Sequence, residues 1–242
     1  MKRFLLCLIL VLSTCSYSLD ARAESLVVGL MNVDRPPYFW KDDAGGYQGI
    51  FIDILHELKK ETGIHFIYKA LPMARLRLYM VVGKVDVEMG IDPSLRTARN
   101  EAESSIYSEP FMESKEVYVI GASRGNFDYA RNVPSGGKFC GVLGFNKPKF
   151  VGETYRQALL SETQLLKMIN KNRCDYTVMP YDAFRYLKEG QLYNLTTSKP
   201  IATHRLRMRL HKQKAELLPR LDAALARMKK DGRLAALLQK YN

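Results

Sequence analysis

Apolar residues along this chain come in two spacings that take turns. Compact runs such as Ser25–Leu30 and His65–Ala70 read as strands. Between them Phe51, Ile54, Leu55 and Leu58 recur at i, i+3, i+4 and i+7, the stripe of a helix that starts near Ile50 and stops at Gly63. A second helix is expected over Met73–Val82. Val85, Val87 and Met89 then alternate with Asp86 and Glu88, which predicts a strand with its polar residues at the exposed end. The first half is thus β-α-β-α-β, the order of a parallel sheet covered by helices. Such sheets take ligands beyond the carboxyl ends of their strands. That puts the Asn32–Trp40 loop and the Met89–Arg99 loop on one rim.

After the apolar run Glu116–Gly121 the pattern restarts. Phe139–Leu143 and Asp175–Met179 read as strands. Ser161 followed by Gln164 is a capping-box signature, and it opens a helix with Leu165, Met168 and Ile169 on one face. A further helix over Ala183–Lys188 ends at Gly190. Leu206–Leu210 alternates like a strand. Two helices close the chain, the first carrying Leu217, Leu218, Leu221, Leu225 and Met228 with Gly232 as its stop, the second over Arg233–Lys240. The expected fold class is α/β with two lobes, each a mainly parallel sheet with flanking helices.

The first 23 residues read as a leader rather than as part of the fold. Lys2 and Arg3 precede an apolar run over Phe4–Leu12 that is too short to span a bilayer, and Ala21-Arg22-Ala23 suits signal peptidase. A mature chain from Glu24, released into the periplasm, is the expectation. A lipid anchor at Cys15, after Leu12-Ser13-Thr14, is the alternative. Export also bears on the remaining cysteines, Cys140 and Cys174. Each opens a strand-like run, so parallel neighbouring strands bring the sulfurs into bridging reach in an oxidising compartment. A structural disulfide is expected, two separate buried thiols being the other reading.

Composition excludes disorder and fibres, at 47% hydrophobic and 26% charged. The net charge of +12 is scattered along helices, where it solvates a face, and an exported protein rarely meets nucleic acid. It lends mild support to an anionic ligand. His56, His65, His204 and His211 lack metal-ligand spacing. No phosphate loop, nucleophile elbow or Cys-x-x-Cys is present, so neither cofactor nor metal is expected.

Several segments, in order, resemble one family across the whole mature chain. Pro36-Pro37-Tyr38 with Gly46–Asp53 resembles its opening, and Gly83-Lys84-Val85-Asp86 its strand entry. Arg99 with Tyr107–Phe111 resembles its loop before the crossover. Asn172–Asp175 resembles the entry to a second-lobe strand. Leu217–Tyr241, with Lys230-Asp231-Gly232, resembles its last helices. The chain is identified on these as similar to the extracellular solute-binding proteins, family 3, of the polar amino-acid-binding type that serves ABC import. The resemblance implies a first lobe over 24–117 and 203–242, a second over 118–202, and crossover strands near Lys115–Gly121 and Thr203–His211. A small-molecule ligand between the lobes, a monomer, and a membrane permease or receptor as partner follow from it.

The resemblance also implies site residues. An arginine after the third strand grips a carboxylate through its planar fork, and the matching residue is Arg99, or Arg96 if the loop is shifted. The acid that holds a ligand ammonium matches Asn32, with Asp34 close by; its second-lobe counterpart matches Pro180, followed by Asp182. Asp34, Glu88 and Asp182 offer negative charge from new places, or are ordinary surface acids. Tyr38 and Trp40 supply aromatic faces to a ligand or cap the lobe core. Phe145, Asn146 and Lys147 stand in a loop before a helix, a setting that favours anions. Arg75 in Pro72–Arg75 faces the cleft or the helix surface. Binding without catalysis is the main expectation. A sensor subunit is a second reading, and a cyclohexadienyl-dehydratase-like enzyme using Glu88 as its acid or base a third.

Overall fold

The computed structural model describes residues 24–122, 127–128, 131–134, 136–145 and 156–241. The expected leader, with Cys15, lies outside them, as do Asn146 and Lys147. The first half runs β1 (Ser25–Met31), β2 (Trp40–Lys41), β3 (Tyr47–Gln48), α1 (Ile50–Thr62), β4 (His65–Leu71), α2 (Met73–Val81), β5 (Val87–Ile91), α3 (Arg99–Glu103) and β6 (Ser105–Tyr107). Next come β7 (Met112–Gly121), β8 (Phe127–Asp128), β9 (Val133–Pro134), β10 (Phe139–Val142), β11 (Arg156–Leu159), α4 (Glu162–Asn170), β12 (Tyr176–Pro180), α5 (Tyr181–Lys188) and β13 (Leu195–Thr197). The chain ends with β14 (Ala202–His211), α6 (Leu218–Lys230) and α7 (Arg233–Gln239).

β1 pairs in parallel with both β4 and β5, so it is a central strand covered on both faces, and Leu26, Val28 and Leu30 are buried. On the other side β10 pairs in parallel with β11 and β12. Two long strands join these sheets. β7 and β14 run antiparallel over Met112–Glu116 and Ala202–Leu206. Beyond that stretch β7 pairs with β12 and β13, and β14 with β5 and β6. The chain therefore crosses between its halves only where two extended segments brace each other.

Helix stops follow the glycines. Gly63 takes a left-handed φ of 72° and its N–H returns to Lys59 O at 2.8 Å, ending α1. At the other end of α1, Gly49 lies so close to the preceding loop that a Cβ would stand 2.5 Å from Tyr38 O. This approach lets Ile50 N–H and Phe51 N–H donate to Pro37 O and Tyr38 O at 2.9 and 3.0 Å. The helix start thereby holds the rim loop in place. α6 and α7 fold back on α1, where Arg233 pairs with Glu57 and Glu61 and Tyr241 Oη donates to Asp53.

Three expectations change. The strand over Val85–Met89 begins at Val87, and its polar residue is not at an exposed end: Glu88 is 4% exposed. It tolerates burial because arginines meet both its oxygens. The last helix of the second half begins at Tyr181, directly after Pro180, whose fixed φ of −58° suits a helix entrance. β14 extends back to Ala202 because its early residues pair with β7.

Candidate functional site

A cavity of about 780 Å³ lies between the halves, within the range of small-molecule sites. The first half lines it from β1, the rim loop and β5, the second from β10, α4 and β12. Its wall is largely apolar, with Phe39, Phe51, Met73, Phe139, Phe145 and Met179 among the larger side chains. Gly90 opens room in it: its φ is 73°, and a Cβ there would stand 2.2 Å from the Phe51 ring.

Three polar groupings interrupt the apolar wall. The first is built around β5. Glu88 faces Arg209 of β14 in register, and Glu88 Oε2 accepts from Arg209 Nη1 at 2.9 Å. Glu88 Oε1 accepts from Arg96 Nη2 at 2.8 Å. Glu101 on α3 accepts from Arg77 at 3.0 and 2.6 Å. Arg96 Nε and Arg209 Nη1 stand 3.6 and 3.7 Å from the same Glu101. Burial opposes the charge on Glu101, but the three arginines outweigh it and its pKa falls below the ordinary value. Three guanidinium groups thus meet two carboxylates in a largely buried place. Arg96 lines the cavity, and its Nε has no hydrogen-bond partner among the described residues.

The second grouping spans the halves. The Arg35 guanidinium meets Glu162, the first residue of α4, with Nε at 3.0 and 3.1 Å from the two oxygens and Nη2 at 2.9 Å. Nearby, Tyr38 Oη donates to Asp182 at 2.7 Å, and Ser114 Oγ of β7 donates to the other Asp182 oxygen at 2.9 Å. Burial raises the Tyr38 pKa well above its usual value, and the Asp182 charge adds to the effect, so the phenol remains a donor. The third grouping sits on the crossover. His204 Nε2 lies 3.3 Å from Glu116 Oε2, and Nδ1 lies 3.9 Å from Asp92 Oδ2. The contact with Glu116 leads the causes that raise the His204 pKa above 6.5.

Of the residues singled out in the sequence, the structure brings Tyr38, Glu88, Arg96 and Phe145 onto this wall, and it ties Asp182 to Tyr38. Arg99 lies elsewhere, with a side chain 91% exposed and paired to Glu103 at 2.7 Å. Arg75 is exposed on α2. Asn32 and Asp34 border a second cavity of about 580 Å³ beside Lys41 and Gln164. Trp40 packs on Tyr186 and Tyr241, with ring centroids 5.6 and 6.0 Å away. Cys140 and Cys174 form a disulfide with Cα atoms 5.9 Å apart, joining β10 to the turn before β12. Sequence reasoning missed Arg35, Ser114, Glu116, Glu162 and His204. Only Arg35 carried a usable signal, its place beside Pro36-Pro37.

Two α/β halves strung on two long strands, with a cavity between them, define the class: this is a periplasmic-binding-protein fold. The chain belongs to the bacterial extracellular solute-binding proteins, family 3, whose profile matches residues 26–242. Among solved structures it is similar to a histidine kinase sensor domain with similarity to periplasmic binding proteins, at TM-score 0.78 and 21% identity, covering 91% of this chain and 96% of that one. It is similar to an ancestral arginine-binding protein bound to arginine at TM-score 0.74 and 21% identity, covering 90% and 97%. It is also similar to the ancestral amino acid-binding protein AncCDT-1, a precursor of cyclohexadienyl dehydratase, at TM-score 0.72 and 20% identity, covering 91% and 96%. At these identities the likeness is one of fold. A search of the curated proteins found no match. No helix among the described residues is long and apolar enough to cross a membrane.

Proposed function

We propose that this protein is a periplasmic binding protein that closes on a small carboxylate-bearing solute with an apolar body and delivers it for ABC import. The observation that carries the reading is the charge imbalance around Arg96. Three arginines against two carboxylates leave one positive charge in excess, and although Arg77 is partly exposed, Arg96 is buried at the cavity wall with an Nε that has no hydrogen-bond partner among the described residues. Buried charge is costly unless paired, so an anion at this wall completes the network. A planar carboxylate suits a guanidinium better than a spherical anion does. The apolar remainder of the wall favours a ligand with an aliphatic or aromatic body over a strongly polar one.

Binding rather than catalysis is supported by the engagement of Glu88. Each of its oxygens is held by an arginine, at 2.8 and 2.9 Å, so it is poorly placed to shuttle a proton. The same clamp would serve a sensor that reports to a membrane receptor. Uptake of labelled ligand by cells with and without the protein separates the two roles.

The test is a thermal-shift screen of metabolite carboxylates and matched amides. A ligand at 100 times its Kd adds about 2.7 kcal/mol to stability. At least one carboxylate is expected to raise the melting temperature, while Arg96→Ala removes the response and Arg99→Ala keeps it. A response that survives in Arg96→Ala, or that is lost in Arg99→Ala alone, overturns the assignment.

A further inference from the structure

Arg35 already sits in a complete guanidinium site. Its Cζ lies over the Tyr38 ring at 4.9 Å and over the Phe145 ring at 4.8 Å. Both distances fall within cation–π range. Its fork closes on Glu162, whose side chain is only 5% exposed. Two aromatic faces and one carboxylate are what a protein assembles to recognise a guanidinium ligand. Here the chain supplies the guanidinium itself. Three parts of the box come from different places: Tyr38 from the rim loop, Phe145 from the loop after β10, and Glu162 from the start of α4. All of them, with Arg35, line the large cavity.

The geometry points to Arg35 as a tethered occupant that fills an aromatic-walled cation subsite of the cavity and so bars free guanidinium compounds from it. The inference rests on the cavity being the ligand site for what it says of natural ligands, and it narrows them. A solute that enters does not bring a guanidinium to this corner, because Arg35 already holds the Glu162 carboxylate there. The bound solute meets Arg35 and its ring partners as a preformed wall. The same residue ties the halves together, since Arg35 belongs to the first and Glu162 to the second.

Truncating Arg35 leaves Glu162 buried without its guanidinium partner, and leaves the two rings without their cation. A small free guanidinium should then restore what was removed. The experiment uses the whole chain and compares wild type, Arg35→Ala and Arg35→Ala/Glu162→Gln by thermal melting. Ethylguanidinium, L-arginine and, as a control, ethylammonium are titrated at equal ionic strength. Arg35→Ala is expected to melt below wild type. Ethylguanidinium should raise its melting temperature saturably and by several degrees, with ethylammonium doing less because it lacks the fork. Wild type and the double variant should stay flat toward ethylguanidinium, the probe that carries no carboxylate.

An Arg35→Ala chain that folds only when ethylguanidinium is present gives the same positive answer earlier in the experiment. An Arg35→Ala chain that ignores ethylguanidinium, folded or not, overturns the proposal. So does an equal rise in wild type or in the double variant. These probes are independent of the natural solute, so a failed carboxylate screen leaves this result readable. Conversely, a flat Arg35→Ala titration leaves the role of Arg96 standing.

Discussion

Glu88 has two arginines for partners, and one of them, Arg209, has no exposed side-chain surface at all. Removing the carboxylate leaves both charges with only the longer ion pairs to Glu101, at 3.6 and 3.7 Å. Glu88→Ala is expected to lose about 3–5 kcal/mol of stability, the usual cost of breaking a buried pair from one side. The midpoint of urea unfolding checks it, and a loss near zero would mean that water already reaches the cluster. His204 makes a different expectation. Its pKa is raised by Glu116 and Asp92, so in the folded state it holds a proton that the unfolded chain releases near 6.5. The stabilisation is therefore complete below pH 6.5 and fades as pH climbs through the raised value. Melting temperatures of wild type and His204→Asn should differ most at the acidic end and converge above it. A gap that widens with rising pH would reverse the sign.

At the scale of elements, the disulfide joins β10 to the approach to β12, two strands that lie side by side in parallel. It closes a loop with a sequence separation of 34. Chain entropy puts the benefit of such a closure at about 3–4 kcal/mol. Cys140→Ala/Cys174→Ala should lose up to that amount, read from denaturant unfolding under oxidising conditions. In the oxidised wild type neither Cys140 nor Cys174 should titrate as a thiol. α4 contributes in another way. Ser161 Oγ accepts from Gln164 N–H at 3.3 Å while Gln164 Oε1 accepts from Leu160 N–H at 2.9 Å. This cap fixes the first turn and with it Glu162, so the element that looks merely structural is also what aims a carboxylate across the cleft.

For the whole molecule the controlling feature is that two strands, β7 and β14, carry the chain between its halves. Few backbone dihedrals need to change for the halves to separate, and hinge closure around ligand is the motion this architecture uses. Trp40, the only tryptophan, packs against Tyr186 of the second half and Tyr241 of the first. Opening must part it from Tyr186. A carboxylate that scores in the thermal screen should therefore change Trp40 emission and reduce the radius of gyration over the same concentration range. Tyr186→Leu should blunt the optical change and spare the compaction. Binding with a constant radius would refute the hinge.

What the sequence determined is the order and kind of elements, because apolar spacing and glycine stops are local properties that a short window carries. Ser25–Met31, Ile50–Thr62 and Leu218–Lys230 were legible for that reason, as was the aromatic and proline-rich rim loop. The site was legible only in part. Tyr38, Glu88 and Arg96 stood in loops or strand ends that a parallel sheet places on one rim. Choosing Arg96 over Arg99 needed the loop's path: two arginines three residues apart differ only in which one turns inward to meet Glu88 and Arg209. Arg35 with Glu162, Ser114 with Asp182, and His204 with Glu116 are separated by 127, 68 and 88 positions. No periodicity reaches that far. Those pairs exist because β7 and β14 bring one half over the other, and only the folded chain decides which charges meet there.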